Sequence, residues 1–455
     1  MALFCAMIAY MVYFQTTKAH DVVSNSQNKH QDVYQKKVVR GSILSSDGKK
    51  LAYTKVSKDG KEQRVYPYKN EFAHVVGIDS HGKYGLELSN NYELMNSSSG
   101  VVNQMVNEIQ DEKSPGDNIV TTLDIRLQKA AYQGLGDYEG AVVAMEADTG
   151  KILAMVSKPD YNPNEIAKNW EKISTGTDAV LVNRATQGKY TPGSVFKIFT
   201  TLAFIRQDKN FDQFYYKCTG SVTFNTKDQY TIKCFDGEYH GGENLENAFA
   251  NSCNGAFATI GSELDKTKFQ KFTDQMLFNT DLPISIAASK SSIQINKKSS
   301  LFDMTQTCIG QGTTMLTPLH MTLIASAVAN DGVLMKPYLV TKVTTAEGKK
   351  VKNYNPTKYK DLMTREEAQV LQTYMQAVVN YGTATGLKTS LYQAAGKTGT
   401  AEIDKNDHIN SWFVGYIEKD GKKIAISVVL ENILADTGTA SNIVRNIFDQ
   451  YYTNQ

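Results

Sequence analysis

Hydrophobic and polar positions divide the chain into stretches of different period. Met1 to Phe14, MALFCAMIAYMVYF, is apolar and uncharged, and residues 18–35 are polar and aperiodic, the pattern of a linker. Over 38–95, short alternating runs are punctuated by Asp47-Gly48 and Asp59-Gly60, which predicts a small β-containing module. Lys113-Ser114-Pro115-Gly116-Asp117 breaks that pattern. A strand is predicted over 119–123, then a helix over 125–135 with Leu127, Ala130, Ala131 and Leu135 on one face. Runs at 140–145 and 151–156 flank Asp148-Thr149-Gly150 and predict an antiparallel hairpin. Helical patterning extends from about 191 to 329, interrupted by a hairpin between Cys218 and Cys234, and ends in a helix over 318–329. Strands return at 394–401, 411–416 and 424–430. Ala440, Ile443, Val444, Ile447 and Tyr451 mark a closing helix. Strands, then helices, then strands and a last helix predict an α+β fold, an antiparallel sheet covered by helices.

Composition narrows the class. The chain has 455 residues, 41% hydrophobic and 21% charged, with only 9 prolines. A disordered or collagen-like chain is excluded, and so is a multi-span membrane protein, because one stretch alone is apolar enough to enter a bilayer. Lys and Arg total 49 against 47 Asp and Glu, so no strong field points to nucleic acid. The 14 apolar residues at the start are short of the roughly 20 a span needs. No basic region precedes them and no small-residue cleavage site follows. We read residues 1–15 as an N-terminal membrane anchor whose cytoplasmic start is missing, with the rest extracytoplasmic. Residues 16–115 form the linker and N-terminal module, and 116–455 the main domain.

Five cysteines are too few for a disulfide scaffold. Cys218 and Cys234 flank the internal hairpin and are either a disulfide or two free thiols. Zinc needs four ligands. His240 would be a third beside this pair, and no fourth is evident, so no metal is expected.

Three short patterns carry chemistry. Ser194-Val195-Phe196-Lys197 opens an apolar helix, which puts Ser194 and Lys197 on one face. A serine hydroxyl needs a neighbouring base to act as a nucleophile, and a lysine in apolar surroundings can be that base. Alone, the pattern is better read as a helix-capping serine, and it recurs at Ser26/Lys29, Ser46/Lys49 and Ser80/Lys83. Ser252-Cys253-Asn254 gives S-x-N, alone a turn, matched again at Ser89-Asn90-Asn91. Lys397-Thr398-Gly399 occurs once, on a predicted strand, where the glycine admits a ligand to the backbone; the plain alternative is a bulge.

In that order, the three form the signature of penicillin-binding proteins and serine β-lactamases. The chain resembles the class B, monofunctional penicillin-binding proteins of the compact PbpA type. Arg40-Gly41-Ser42-Ile43, Tyr84-Gly85-Leu86-Glu87, Gly310-Gln311-Gly312 and Trp412-Phe413-Val414-Gly415 extend the resemblance along the chain. Val195 departs from the usual threonine or serine after the nucleophile, and 408–412 is irregular. The resemblance implies a penicillin-binding transpeptidase fold with a small N-terminal pedestal. It implies a peptidoglycan D,D-transpeptidase with no cofactor, acting on stem peptides and inhibited by β-lactams, held at the plasma membrane by a single pass. A SEDS-family glycan polymerase is a further candidate partner. By resemblance, Ser194 is the nucleophile, Lys197 its base, and Ser252, Asn254 and Lys397 complete the catalytic group. Thr398, Gly399 and Thr400 bind the substrate carboxylate, and the Ser194 and Thr400 backbone N–H groups form the oxyanion hole. A D,D-carboxypeptidase and a serine β-lactamase share these motifs. A β-lactam sensor or scaffold is the non-enzymatic alternative.

Overall fold

The computed structural model describes residues 2–17, 37–225, 229–403, 408–434 and 439–453. The expected linker at 18–35 lies outside the described residues. The chain forms two compact units. The first takes the described chain up to Ile125 together with Asp160–Leu181 and Tyr338–Asn355, and the second takes the remainder.

The first unit holds a six-stranded sheet. Its strand Asn118–Thr121 pairs in parallel with Ile43–Leu44 and antiparallel with Val340–Thr344, more than two hundred residues away. That long-range pairing is why 338–355 belongs to this unit, and no local pattern announces it. The alternating pattern expected through residue 95 yields strands only as far as Glu62–Val65; Ala73–Val76, Gly85–Ser89 and Asn91–Met95 are short helices. Apolar runs this short do not separate helix from strand by period.

Two of the quoted motif segments meet here. Glu87 is fully buried and receives Arg40 Nε at 2.6 Å and Arg64 Nε at 2.8 Å, while Arg40 Nη1 donates to Asn91 Oδ1 at 2.6 Å. Burial pushes the Glu87 carboxyl up, and the two guanidinium groups more than reverse this, holding it below its ordinary range. Removing one member of a buried ion group leaves the others uncompensated. Glu87→Gln is therefore expected to cost about 3–5 kcal/mol. A urea titration of the purified protein reads this, and an unchanged midpoint contradicts it.

The second unit is built on a five-stranded antiparallel sheet. Its strands are β1 (Gly140–Glu146), β2 (Ile152–Lys158), β3 (Gln393–Glu402), β4 (His408–Lys419) and β5 (Lys422–Leu434), in the spatial order β3-β4-β5-β1-β2. This is the predicted architecture, and β3 lies at its edge. Helix Pro318–Ala329, predicted over the same residues, is buried on every side. A helix apolar all round belongs in the interior. Its hydroxyls are satisfied there: Thr322 Oγ1 lies 2.8 Å from Ser427 Oγ on β5. Helix Arg365–Asn380 was missed by the periodicity, although Thr364 and Glu367 form a capping box at its start.

Candidate active site

Ser194 lies in a tight 3-10 turn, Gly193–Phe196, which runs into helix α1 (Lys197–Gln207). Gly193 takes φ +55°, donates its N–H to the Gly310 carbonyl at 2.9 Å, and lies so close to Thr400 that a Cβ would sit 2.3 Å from its carbonyl oxygen. A Cβ on Gly399 would meet Val195 Cγ1 at 2.9 Å. The two glycines thus let strand β3 press directly on the turn that carries Ser194. That explains the glycine of the third motif better than a bulge does.

Along β3, Lys397, Gly399 and Ala401 are buried, while Thr398 and Thr400 are half-exposed. The period-two alternation of a strand turns the two threonines to the cleft and the lysine beneath it. Ser194, Ser252, Asn254, Thr398, Gly399 and Thr400 all line a cleft of about 950 Å³. Lys197 and Lys397 have no exposed surface and do not line it.

The S-x-N segment is the turn between helices Leu245–Ala250 and α2 (Asn254–Glu263). Ser252 adopts φ +59°, a left-handed conformation that is strained for serine. The turn is organised around Lys197, whose Nζ donates to Ser252 O at 2.5 Å and Asn254 Oδ1 at 2.7 Å and lies 3.2 Å from Ser252 Oγ. Ser194 is not among these partners. Nucleophile–base contacts in ligand-free enzymes commonly close only with substrate present.

Burial lowers Lys197 to about 8, because its charge has lost its water. Burial lowers Lys397 well below the usual lysine range, and Lys197 adds like-charge repulsion. At Lys197 desolvation is the largest cause, and the like-charge repulsion is felt at Lys397. Lys397 Nζ donates to the Thr398 carbonyl at 3.1 Å.

The structure therefore gathers all eight predicted residues around one cleft. It adds three the motifs did not reveal. Thr383 Oγ1 meets Thr398 Oγ1 at 2.5 Å on the cleft wall. Glu243, 1% exposed, accepts from Asn251 Nδ2 at 2.7 Å beside the S-x-N turn. Cys253, the middle residue of S-x-N, turns inward and joins Cys218, Cys234 and His240, so a fourth side chain with ligating chemistry, which the sequence did not reveal, lies beside the other three. Its place inside another motif concealed it.

Residues 140–449 match the family model of the penicillin-binding protein transpeptidase domain, and residues 40–119 match that of the penicillin-binding protein A dimerisation domain. The chain belongs to the penicillin-binding transpeptidase family. The peptidoglycan D,D-transpeptidase PbpA of Mycolicibacterium smegmatis is 30% identical to it over 86% of this chain and 84% of the relative. Stage V sporulation protein D of Bacillus subtilis is 28% identical over 81% of this chain and 60% of the relative. Among solved penicillin-binding proteins, the penicillin G acyl-enzyme of penicillin-binding protein A from M. tuberculosis superposes with a TM-score of 0.80 at 26% identity, covering 91% of this chain and 99% of that one.

Proposed function

We propose that the protein is a peptidoglycan D,D-transpeptidase that works through an acyl-enzyme on Ser194. The single observation that carries this is a desolvated lysine, Lys197, held by Ser252 and Asn254 directly behind the turn of Ser194. Ser194 Oγ attacks the carbonyl carbon of the penultimate D-Ala of a stem peptide, and Lys197 Nζ accepts its proton. The Ser194 and Thr400 backbone N–H groups stabilise the oxyanion. The C–N bond then breaks, and Ser252 passes a proton to the departing D-Ala amine. An amine of a neighbouring stem attacks the ester, forming the cross-link and releasing Ser194. Thr398 and Thr400 take the terminal carboxylate from the cleft side. Lys397, beneath them, supplies positive charge that an arriving carboxylate favours. Asn254 orients the substrate amide.

A β-lactam is opened by the same attack. Its ester persists unless a further group activates water. Lys197 has no carboxylate among its hydrogen-bond partners in the described residues, and Glu402 lies at the exposed end of β3. With excess nitrocefin we expect one equivalent of colour per enzyme and then a nearly flat trace. Sustained rapid hydrolysis would move the assignment to a serine β-lactamase.

The same reading places the catalytic unit outside the cytoplasm, at the plasma membrane, with a SEDS-family glycan polymerase as partner. The uncharged helix Ala2–Thr17 supports the attachment. No described helix is long and apolar enough to cross a membrane. Recovery of the native protein in the membrane fraction, open to protease from outside, tests the location.

A further inference from the structure

Three cysteines and a histidine converge directly behind the S-x-N turn. The three Sγ atoms and the imidazole all lie within 4.8 Å of one another. Cys218 Sγ is 3.7 Å from Cys234 Sγ, Cys234 Sγ is 3.9 Å from Cys253 Sγ, and His240 Nδ1 is 3.3 Å from Cys218 Sγ. All three cysteines are free and buried. A tetrahedral zinc ion with bonds of about 2.3 Å to sulfur and 2.0–2.1 Å to nitrogen requires edges of roughly 3.8 Å between sulfurs and 3.5 Å from sulfur to nitrogen. These three spacings match those edges, and the other three pairs lie within 4.8 Å. They are far from a sulfur–sulfur bond of about 2.03–2.05 Å, which would also leave one thiol and the histidine with no role.

We propose that Cys218, Cys234, His240 and Cys253 form a structural zinc site that positions the S-x-N turn.

The surroundings suit thiolate ligands. The Gly220 N–H points at Cys218 Sγ at 3.4 Å, and the Ala256 N–H at Cys253 Sγ at 3.5 Å. His240 turns Nδ1 inward and leaves Nε2, buried and without a hydrogen-bond partner, 3.4 Å from Glu238 Oε2. A metal-bound histidine ordinarily offers its second nitrogen to such a carboxylate. Four protein ligands close the coordination sphere and leave no position for a water, so the ion is structural and supplies no hydrolytic metal chemistry.

The local architecture needs such a cross-link. The ligands arrive from the end of strand Tyr215–Cys218, the residue after strand Tyr230–Lys233, the residue before strand Gly241–Asn244, and the cap of α2. These strands form separate two-stranded ribbons of four paired residues each. Isolated ribbons of that size are marginal in water. One ion ties both ribbons to the start of α2.

The consequence for the active site follows from adjacency. Cys253 lies between Ser252 and Asn254, the two residues that hold Lys197. On the other flank, Asn254 Nδ2 donates to the Lys233 carbonyl at 2.9 Å, one residue before Cys234. Zinc bound to Cys234 and Cys253 would clamp both sides of the strained Ser252 turn. The residues of the cluster are thus positioning residues, acting through Ser252 and Asn254. This last step rests on the proposed roles of those two residues; metal binding itself does not.

The test is metal analysis of the full-length protein purified without chelator. One zinc per chain is expected. Replacement by Co²⁺ should give the visible spectrum of a tetrahedral, thiolate-bound ion. Cys218→Ser and His240→Ala should each lose the metal, and Cys5→Ser should keep it. Chelation should lower the melting temperature and slow Ser194 acylation about ten- to a hundredfold, with recovery on adding Zn²⁺. Metal content and the cobalt spectrum are read without activity, so they stand even for a protein that acylates nothing. Absence of zinc after supplementation, a mass lower by two hydrogens for a Cys218–Cys234 disulfide, or equal metal in Cys218→Ser would overturn the site. Metal lost with acylation unchanged would overturn the positioning role.

Discussion

Ser194→Ala is expected to abolish covalent labelling by β-lactams, while the wild-type protein gains one adduct on the peptide that holds Ser194. The argument is geometric. Ser194 lines the cleft on a turn fixed by the close approach of Gly193 to Thr400 and of Gly399 to Val195. Its one rival is Ser252, whose hydroxyl lies within hydrogen-bond reach of Lys197, at 3.2 Å. Ser252 sits on a strained left-handed turn and its carbonyl is held by the same amine, so it is placed to pass a proton. Intact-mass spectrometry after benzylpenicillin treatment, followed by peptide mapping, separates the two. Equal labelling of Ser194→Ala, or an adduct on Ser252, would refute the assignment. Removing the nucleophile leaves no ester to form, so the expected loss is complete.

Lys197→Ala should slow acylation by about 10²–10⁴-fold, the usual contribution of a positioned general base. The mutant also leaves Ser252 O and Asn254 Oδ1 without their donor, so a melting curve must accompany the rate. The pH profile separates base from scaffold. The active form is the neutral amine, and burial brings Lys197 to about 8. Below that pH the neutral fraction falls about tenfold per unit, so the wild-type acylation rate should rise with pH and level off above 8. Stopped-flow acylation across this range reads the curve. A profile flat from pH 6 to 9 would remove Lys197 as the base, even if the alanine mutant were inactive.

The sequence by itself determined the elements with strong periods and the residues of the cleft. Strands β1, β2, β3, β4 and β5 and the closing helix Ala440–Thr453 fall where the apolar runs and the i, i+3, i+4 spacing put them, because β1, β2, β4 and β5 are buried on both faces and read as nearly continuous apolar runs, while the helix keeps one buried face. The motif residues were legible for a different reason. S-x-x-K and K-T-G place their chemistry within one turn or one strand, so short-range spacing already implies proximity. What only the tertiary structure decided depends on contacts between distant segments. The pairing of Asn118–Thr121 with Val340–Thr344 completes the first sheet, and Arg40, Arg64 and Glu87 become one buried charge group. The burial of Lys197 and Lys397, which sets their protonation, is a property of everything packed over them. Cys253 looked like the variable letter of a motif. Only folding turns it inward to meet Cys218, Cys234 and His240, because ligand geometry is set in space by four backbone segments and leaves no period in the chain.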